Sequence, residues 1–291
     1  MPSNQDYLAA LQDLNDLVGA TFYLSVSLNK FTGDSRKQLA SVMFAKINLC
    51  ALSITKLLPV DSEILPQQQT AVMARENFCD VSSVASLCRN LIEASNLIYY
   101  FAVDEVPEEE IRLRLQIGDF HAVHGSLAVL RLADCHGPEV EELEGELAKV
   151  KAALKAAGEF CKLDAGLRKQ ILNGRKGATL SQRAIAERRG FHAKRFGSDF
   201  RYLSGHVHTD AYSLMDLLAG NKVGGPMTDE IRASLIGLIR ETTRYLAHTL
   251  LDMVNLFPDF KSRMTSAGLE KMRSFTENQG VKWPGSSENS Q

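Results

Sequence analysis

Residues 82–100, SSVASLCRNLIEASNLIYY, decide the fold class. Two patterns of helical period overlap in this stretch. Polar side chains recur every three or four residues, and apolar side chains fill the positions between them. The polar positions are Ser82, Ser86, Arg89, Glu93, Asn96 and Tyr100. These two faces predict a long helix, from about 67 to 102, that is buried except along one polar stripe.

The polar stripe has two interpretations. A helix this apolar is expected to be well buried, so Arg89 and Glu93 would face another polar helix or a cavity. Alternatively, they form a solvent-facing pair four residues apart, with the arginine first, which is the weaker order. The spacing alone favours neither interpretation.

Helical periodicity continues on both sides of this stretch. We predict a first helix along the apolar stripe of residues 8–24, and four more helices follow from local start and stop signals. These are 35–58 after a capping box, 108–132 after Pro107, Pro138 to about Phe160, and a helix capped by Thr228 that ends near Leu256. No run alternates polar and apolar residues, and no segment repeats. The fold class is therefore predicted to be all-α, a bundle of long antiparallel helices with a basic insertion of short helices.

The organisation expected is one all-α domain, 1–275, followed by a disordered tail, 276–291. Glycines punctuate the section before residue 197, which favours short helices and loops there. Residues 220–226 form a predicted loop. The domain would comprise an N-terminal helical hairpin (1–60), core helices (67–160), a basic irregular section (162–197) and C-terminal core helices (198–275).

Charge is segregated along the chain. The whole sequence has a net charge of −2 and a pI of about 6.4, which excludes a generally basic nucleic-acid-binding protein. Residues 104–148 contain twelve acidic and three basic residues, whereas residues 162–201 contain eleven basic and three acidic ones. The basic section could meet an anion, or the two sections could face each other or water.

Cysteine usage and the N-terminus indicate a reducing compartment. The five cysteines form no Cys-x-x-Cys pair and are odd in number, so neither a disulfide framework nor a zinc module is predicted. Polar residues follow Met1, which predicts no signal peptide. No uninterrupted apolar run approaches the roughly 20 residues that cross a bilayer. We expect a cytoplasmic protein with no membrane partner and no cofactor.

Residues 200–208, FRYLSGHVH, carry the candidate chemistry. Arginine is a permanent cation that can hold a phosphate, and histidine can move a proton near neutral pH. On a helix, Arg201 and His208 share one face, with Ser204 on the same side, whereas His206 points elsewhere. An unwinding at Gly205 would bring His206 back toward Arg201. The pair suggests phosphodiester chemistry, but an ordinary polar helix end would have the same residues.

The two stretches together resemble a widespread bacterial family of helical proteins of unknown function. Its hallmarks are Arg-x-x-x-Glu within an apolar helix and Tyr-x-x-Leu-Ser-x-x-x-His further along the chain. The resemblance covers about residues 75 to 215, with Phe200 in place of the family's tyrosine. It implies that four side chains converge in one site: Arg89, Glu93, Ser204 and His208.

A more distant likeness is to HEPN ribonucleases, which carry an arginine followed four to six residues later by a histidine. It implies a metal-independent endoribonuclease of a toxin or defence system that acts as a homodimer. Tyr202 follows the arginine here, where a polar residue is usual in that family. The basic section would then guide RNA through Arg175, Lys176, Arg188, Arg189, Lys194 and Arg195.

Three alternatives stay open. His121 and His124 could join Glu93, His206, His208 and Asp210 around a metal, although no metal-binding signature is present. Residues 180–201 could form a DNA-binding helix-turn-helix. The chain could also be a non-catalytic helical protein that binds a ligand or partner, with Arg89, Glu93, Ser204 and His208 as a buried network. A catalytic site should be open to solvent, whereas a structural network should be closed and hydrogen-bonded.

Overall fold

Every regular element of the described residues is helical. The computed structural model describes residues 2–28, 31, 33–59, 79–208, 210–219, 227–261 and 264–277. These residues form thirteen α-helices and one π-helical segment, and they contain no strand. The predicted all-α fold class is confirmed.

The chain divides into two compact units, Met1–Val103 with Arg189–Gln291, and Asp104–Arg188. Unit 1 contains α1 (Asn4–Ser27), α2 (Ser35–Leu57), α3 (Val81–Ile98) with its π-helical extension (Tyr99–Val103), α9 (Ala193–His208), α10 (Ala211–Ala219), α11 (Asp229–Leu256), α12 (Pro258–Lys261) and α13 (Ser266–Glu277). Unit 2 contains α4 (Glu108–Leu132), α5 (Pro138–Ala156), α6 (Gly158–Lys162), α7 (Ala165–Leu172) and α8 (Gln182–Arg188). The described part of the predicted core section, 67–160, is thus shared between the two units.

Helix α3 is the centre of unit 1. It packs against α2, α9 and α11, and α1 packs against α2 and α11. Val84, Cys88 and Leu91 of α3 have no exposed surface, as expected for a helix covered on most sides. Full burial of an apolar side chain contributes about 1.5–3 kcal/mol. The apolar faces of α3 therefore fix the helices around it, including α9, which carries the 200–208 motif.

Side chains cap the first turns of α2 and α11, and one of the two caps differs from the prediction. Thr228 caps α11 as predicted, since its side chain accepts a hydrogen bond from the amide of Ile231 at 3.2 Å. The cap of α2 is Asp34, which accepts from the amide of Lys37 at 3.0 Å, and not the predicted Ser35, which is the first helical residue. An aspartate in extended backbone just before the helix accepts a hydrogen bond from a free amide. Its negative charge also interacts favourably with the positive end of the helix dipole.

The long helix of the 82–100 stretch begins at Val81 and not at residue 67. Asp80 caps it by accepting from the amide of Ser83 at 2.9 Å. Residues 60–78 lie outside the described part of the chain, as do the predicted loop at 220–226 and residues 278–291 of the predicted tail. The helix changes to π-helical geometry over Tyr99–Val103.

Unit 2 is built on the hairpin of α4 and α5. Helix α4 has the predicted bounds, but α5 ends at Ala156, before the predicted Phe160, because the backbone is extended at Ala157. The short α6 and α7 close the base of the hairpin. The core of this unit consists of Leu113, Ile117, Phe120, Leu154, Phe160 and Ile171.

Among the described helices, α2 alone is long and apolar enough to cross a membrane, with a mean hydropathy of 1.3 in its most apolar window. This test of length and composition differs from the uninterrupted apolar run considered above, which Lys46 and Asn48 interrupt in this helix. Core helices and signal sequences pass it too, and 33% of the α2 window is buried within the protein. Phe44, Ile47 and Ile54 supply its buried face.

Candidate functional site

The two sequence motifs meet where α3 packs against α9. Nε of Arg89 donates a hydrogen bond to Oγ of Ser204 at 3.0 Å. Nearer the start of α3, Ser82 contacts His206, which lies nearer the end of α9. The contacts run in opposite directions along the two helices, so α3 and α9 are antiparallel. This pairing brings Arg89, Glu93 and Ser204 together, as the family resemblance implied.

Arg89 uses all three of its guanidinium nitrogens within this cluster. Nη1 donates to Oε2 of Glu93 at 3.1 Å, and Nη2 lies 2.9 Å from Oε1, which makes a two-pronged ion pair. The guanidinium also lies over the ring of Phe200, 4.9 Å from its centroid. A cation over an aromatic face gains about 0.5–1 kcal/mol at an exposed site and more when desolvated. The phenylalanine that replaces the family's tyrosine is thus a packing surface for Arg89.

Ser204 is fully engaged in the cluster. Its hydroxyl donates to the backbone carbonyl of Phe200 at 2.6 Å and accepts from Arg89. A hydroxyl has one proton, so Ser204 has none left to donate to a ligand in this arrangement. The side chains of Arg89 and Glu93 are 17% and 31% exposed. The cluster is half-buried, and the hydrogen bond from Arg89 to Ser204 joins α3 to α9.

His206 lies on the buried side of α9. Its Nδ1 is 3.0 Å from Oγ of Ser82, and its side chain has no exposed surface. Oδ2 of Asp216 lies 3.9 Å from Nε2 and accepts a hydrogen bond from the hydroxyl of Tyr202 at 3.3 Å. The composition is that of a serine–histidine–aspartate triad, but 3.9 Å exceeds hydrogen-bond range. The aspartate therefore does not hold the imidazole as a triad aspartate does.

Arg201 and His208 stand apart from the Arg89 cluster. Both side chains are exposed, Arg201 in the middle of α9 and His208 at its end. The helix is continuous between them, so the predicted common face is kept. Within the described residues neither forms a hydrogen bond or an ion pair. The implied convergence therefore includes Arg89, Glu93 and Ser204 but not His208. His206, which the face argument set aside, is the histidine that contacts α3.

A second polar cluster surrounds Glu241 in the middle of α11. Its carboxylate is 1% exposed and accepts from Nη2 of Arg244 at 2.6 Å. Nη2 of Arg195 lies 3.5 Å away on the other side, and Nε of Arg195 lies 3.5 Å from Asp199. A buried carboxylate needs such partners, because an unpaired one costs several kcal/mol.

Arg189 is more deeply buried than these arginines, with a side chain that is 3% exposed. Its Nη1 donates to Oγ of Ser95 at 2.7 Å, and its Nη2 donates to Oδ2 of Asp252 at 2.6 Å. The hydroxyls of Ser95 and Thr249 are 2.5 Å apart. Burial raises the pKa of Asp252, and the neighbouring Arg189 acts against that rise. The ion pair fastens the start of the α9 region to α3 and α11.

His248 lies between these two arginine clusters. Its ring packs edge-on against Phe191, with 4.7 Å between centroids. Burial, together with the positive charges of Arg189 and Arg244, lowers the pKa of His248 to about 3. The imidazole is neutral at physiological pH, since a third cation here would be both desolvated and repelled.

The predicted nucleic-acid-binding residues have different roles. Arg189 and Arg195 form ion pairs with carboxylates inside unit 1, which weighs against the prediction that they guide RNA. Arg188 lies 3.3 Å from Asp104 in unit 2. Arg175 and Lys194 are exposed and Lys176 is half-buried, and none of these three forms an ion pair with a described residue. The partners of Arg195 also weigh against a recognition helix that begins at 192.

Two histidines of unit 2, His121 and His124, lie against glycines. Gly174 has a positive φ of 69°, and a Cβ there would collide with the ring of His124. A Cβ at Gly177 would likewise come too close to the ring of His121. Across the described ranges, no group of three or more His, Cys, Asp or Glu side chains is arranged to hold a metal ion.

Sequence reasoning missed Glu241, Asp252 and His248. Each lies in α11, which has buried apolar residues along most of its length, and a charged or polar residue on the buried side of such a helix needs a partner. That signal was present in residues 229–256. The identity of the partners was not, because Ser95, Arg189 and Arg195 are distant in sequence.

Comparison with known proteins adds no relative. No family model matches the chain, and neither the curated proteins nor the solved structures include a significant match.

Proposed function

We propose that this chain is a non-catalytic helical binding protein, in which the Arg89 cluster joins α3 to α9. The observation that carries the proposal is that the described hydrogen bonds of the cluster are all made within the protein. Arg89 uses its three nitrogens on Glu93 and Ser204, and Ser204 uses its proton on a backbone carbonyl. A site that holds a phosphate in a transition state needs donors aimed at the substrate and not at the protein.

Exposed apolar side chains support the binding role. Large apolar residues on the outward faces of α1 and α2 are 49–68% exposed, and such surface is typical of interaction sites when it is contiguous. They are Phe22, Tyr23, Val26, Val42 and Leu49. Helix α10 exposes three more, Leu214, Met215 and Leu218.

A metal-independent endoribonuclease is the second candidate, and one observation favours it. Arg201 and His208 are exposed on one helix with no protein partner among the described residues, so both are available to a substrate. The HEPN likeness would place them at the interface of a homodimer. Arg89, Glu93 and Ser204 would then support the helix and would not touch RNA.

An RNA cleavage assay in EDTA separates the two proposals. Wild type is compared with Arg201→Ala and His208→Ala, and light scattering reports whether each sample is a monomer or a dimer. The proposed function predicts no cleavage by any folded sample, whatever its oligomeric state. Cleavage by the wild type that both substitutions abolish would replace it with the ribonuclease.

A further inference from the structure

A cleft in unit 2 gathers cations without any acidic residue. It has a volume of about 500 Å³ and lies between the second half of α5 and the α6–α7 segment. Lys151 and Lys155 contribute from α5, and Arg168 and Lys169 contribute from α7. No aspartate or glutamate lines it, so four positive charges face one concave surface.

These four cations share one cleft and differ from five other cations of the same unit, although Arg112, Lys149, Arg175 and Lys176 also form no ion pair among the described residues. Arg114, Arg131, Lys162, Arg183 and Arg188 each form an ion pair with a carboxylate. Within the described residues, Lys151, Lys155, Arg168 and Lys169 form none. Four unpaired like charges repel one another in a shared concavity, and that concavity concentrates the positive potential. An anion bound in the cleft would reduce this repulsion.

We infer that this cleft binds a multiply phosphorylated anion. Lysine and arginine are the side chains that bind phosphate, arginine through its fork and lysine as a point charge. The volume lies within the range of sites for small ligands. The inference rests on the proposed binding function, for which it names a ligand class.

Recognition in this cleft is by charge and not by a base. Phe160 borders the cleft, but it is 3% exposed and its ring belongs to the core of the unit. Stacking on an exposed aromatic ring is the main way in which proteins hold single-stranded bases. Without it, phosphate groups define the ligand, whether they belong to a small molecule or to an RNA backbone.

The cleft contains its own reporter. Cys161 is exposed and lines it, whereas Cys135 is exposed in the loop that joins α4 to α5 and does not. A ligand in the cleft should slow alkylation of Cys161 and leave the alkylation rate of Cys135 unchanged. Mass spectrometry of the two cysteine peptides gives both rates from one sample.

The test compares two fourfold variants of the full chain that lose the same net charge. The cleft variant is K151Q/K155Q/R168Q/K169Q. The control variant, K46Q/K56Q/K149Q/K261Q, removes exposed lysines that do not line the cleft. The probes are inorganic tripolyphosphate and a short labelled single-stranded RNA, and circular dichroism and melting curves establish that both variants fold.

The inference predicts that tripolyphosphate protects Cys161 but not Cys135 in the wild type and in the control variant. The cleft variant should bind at least 10-fold more weakly. For RNA, losing four phosphate contacts should reduce the slope of log affinity against log salt by about 3. Binding of tripolyphosphate alone would identify a small-molecule source, and binding of RNA alone would identify a polymer.

The inference would be overturned if neither probe bound to the wild type. It would also be overturned if the two variants lost the same amount of affinity. Neither result bears on the cleavage assay. Conversely, RNA cleavage that depends on Arg201 and His208 would overturn the proposed function and leave the binding data unchanged.

Discussion

Nη2 of Arg189 lies 2.6 Å from Oδ2 of Asp252, and the arginine side chain is 3% exposed. Ser95 accepts the second hydrogen bond of the same guanidinium. The ion pair links segments that are 63 residues apart in sequence. Its position in the interior makes it sensitive to the loss of either partner, because the remaining charge would be buried alone.

Removing Arg189 should therefore destabilise the protein strongly. We expect Arg189→Ala to lower the free energy of unfolding by about 3–5 kcal/mol, the range for breaking a buried ion pair. Arg188→Ala is the matched control, since Arg188 is 40% exposed and its pair with Asp104 should contribute at most about 1 kcal/mol. Urea unfolding followed by circular dichroism measures both. Equal effects of the two substitutions would contradict the role given to Arg189.

The shape of Arg89, and not only its charge, should matter. Arg89→Lys keeps the cation but removes the Nε donor to Ser204 and the fork that holds Glu93, so we expect a loss of about 1–2 kcal/mol. Arg201→Lys, on the exposed side of α9, should change the free energy of unfolding by less than about 0.5 kcal/mol. The measurement is again urea unfolding. A neutral Arg89→Lys would show that the cluster does not fasten α3 to α9.

Local sequence signals predicted the helices well but not their contacts. The period of residues 82–100 and the cap at Thr228 depend on neighbours within a few residues, so they can be read from the sequence. The contact of Arg89 with Ser204 spans 115 residues and depends on how α3 and α9 pack. Periodicity identifies the polar face of a helix, but it does not identify the residue that this face meets.

The basic section shows the same limit in electrostatic terms. Counting charge over residues 162–201 treats each arginine alike. In the structure, Arg189 and Arg195 form ion pairs with Asp252 and Glu241 of α11, whereas Arg168 and Lys169 form none in the cleft of unit 2. Burial decides which cations are available to a partner, and burial depends on tertiary packing.

The five thiols should divide into two reactivity classes. Cys135 and Cys161 are exposed, whereas Cys50, Cys79 and Cys88 are buried. Burial raises the pKa of all three buried thiols, and that of Cys88 to about 12, so they contain less reactive thiolate at pH 8 than an exposed thiol does. We expect a disulfide reagent to titrate two thiols rapidly in the native protein and five in guanidinium chloride. Rapid reaction of a third thiol in the native state would contradict the burial of Cys50, Cys79 or Cys88.

His248 should make stability depend on pH. Its pKa is lowered to about 3 in the folded protein, against about 6.5 in an unfolded chain. Below pH 6.5 the unfolded state binds the proton and the folded state does not. The stabilisation is therefore complete above pH 6.5 and is lost as the pH falls toward 3. One unit of pKa difference corresponds to about 1.4 kcal/mol, so the loss at pH 5 should be about 2 kcal/mol.

Comparison with His248→Gln isolates this contribution from other titrating groups. Asp252, whose raised pKa acts in the opposite direction, is present in both proteins and cancels in the difference. Plotted from pH 7.5 to 5, the free energy of unfolding of the wild type should fall by about 2 kcal/mol more than that of the variant. His136→Gln is the control, because His136 is 84% exposed. Parallel curves for the wild type and His248→Gln would mean that His248 takes up a proton in the folded state, which the adjacent Arg189 and Arg244 argue against.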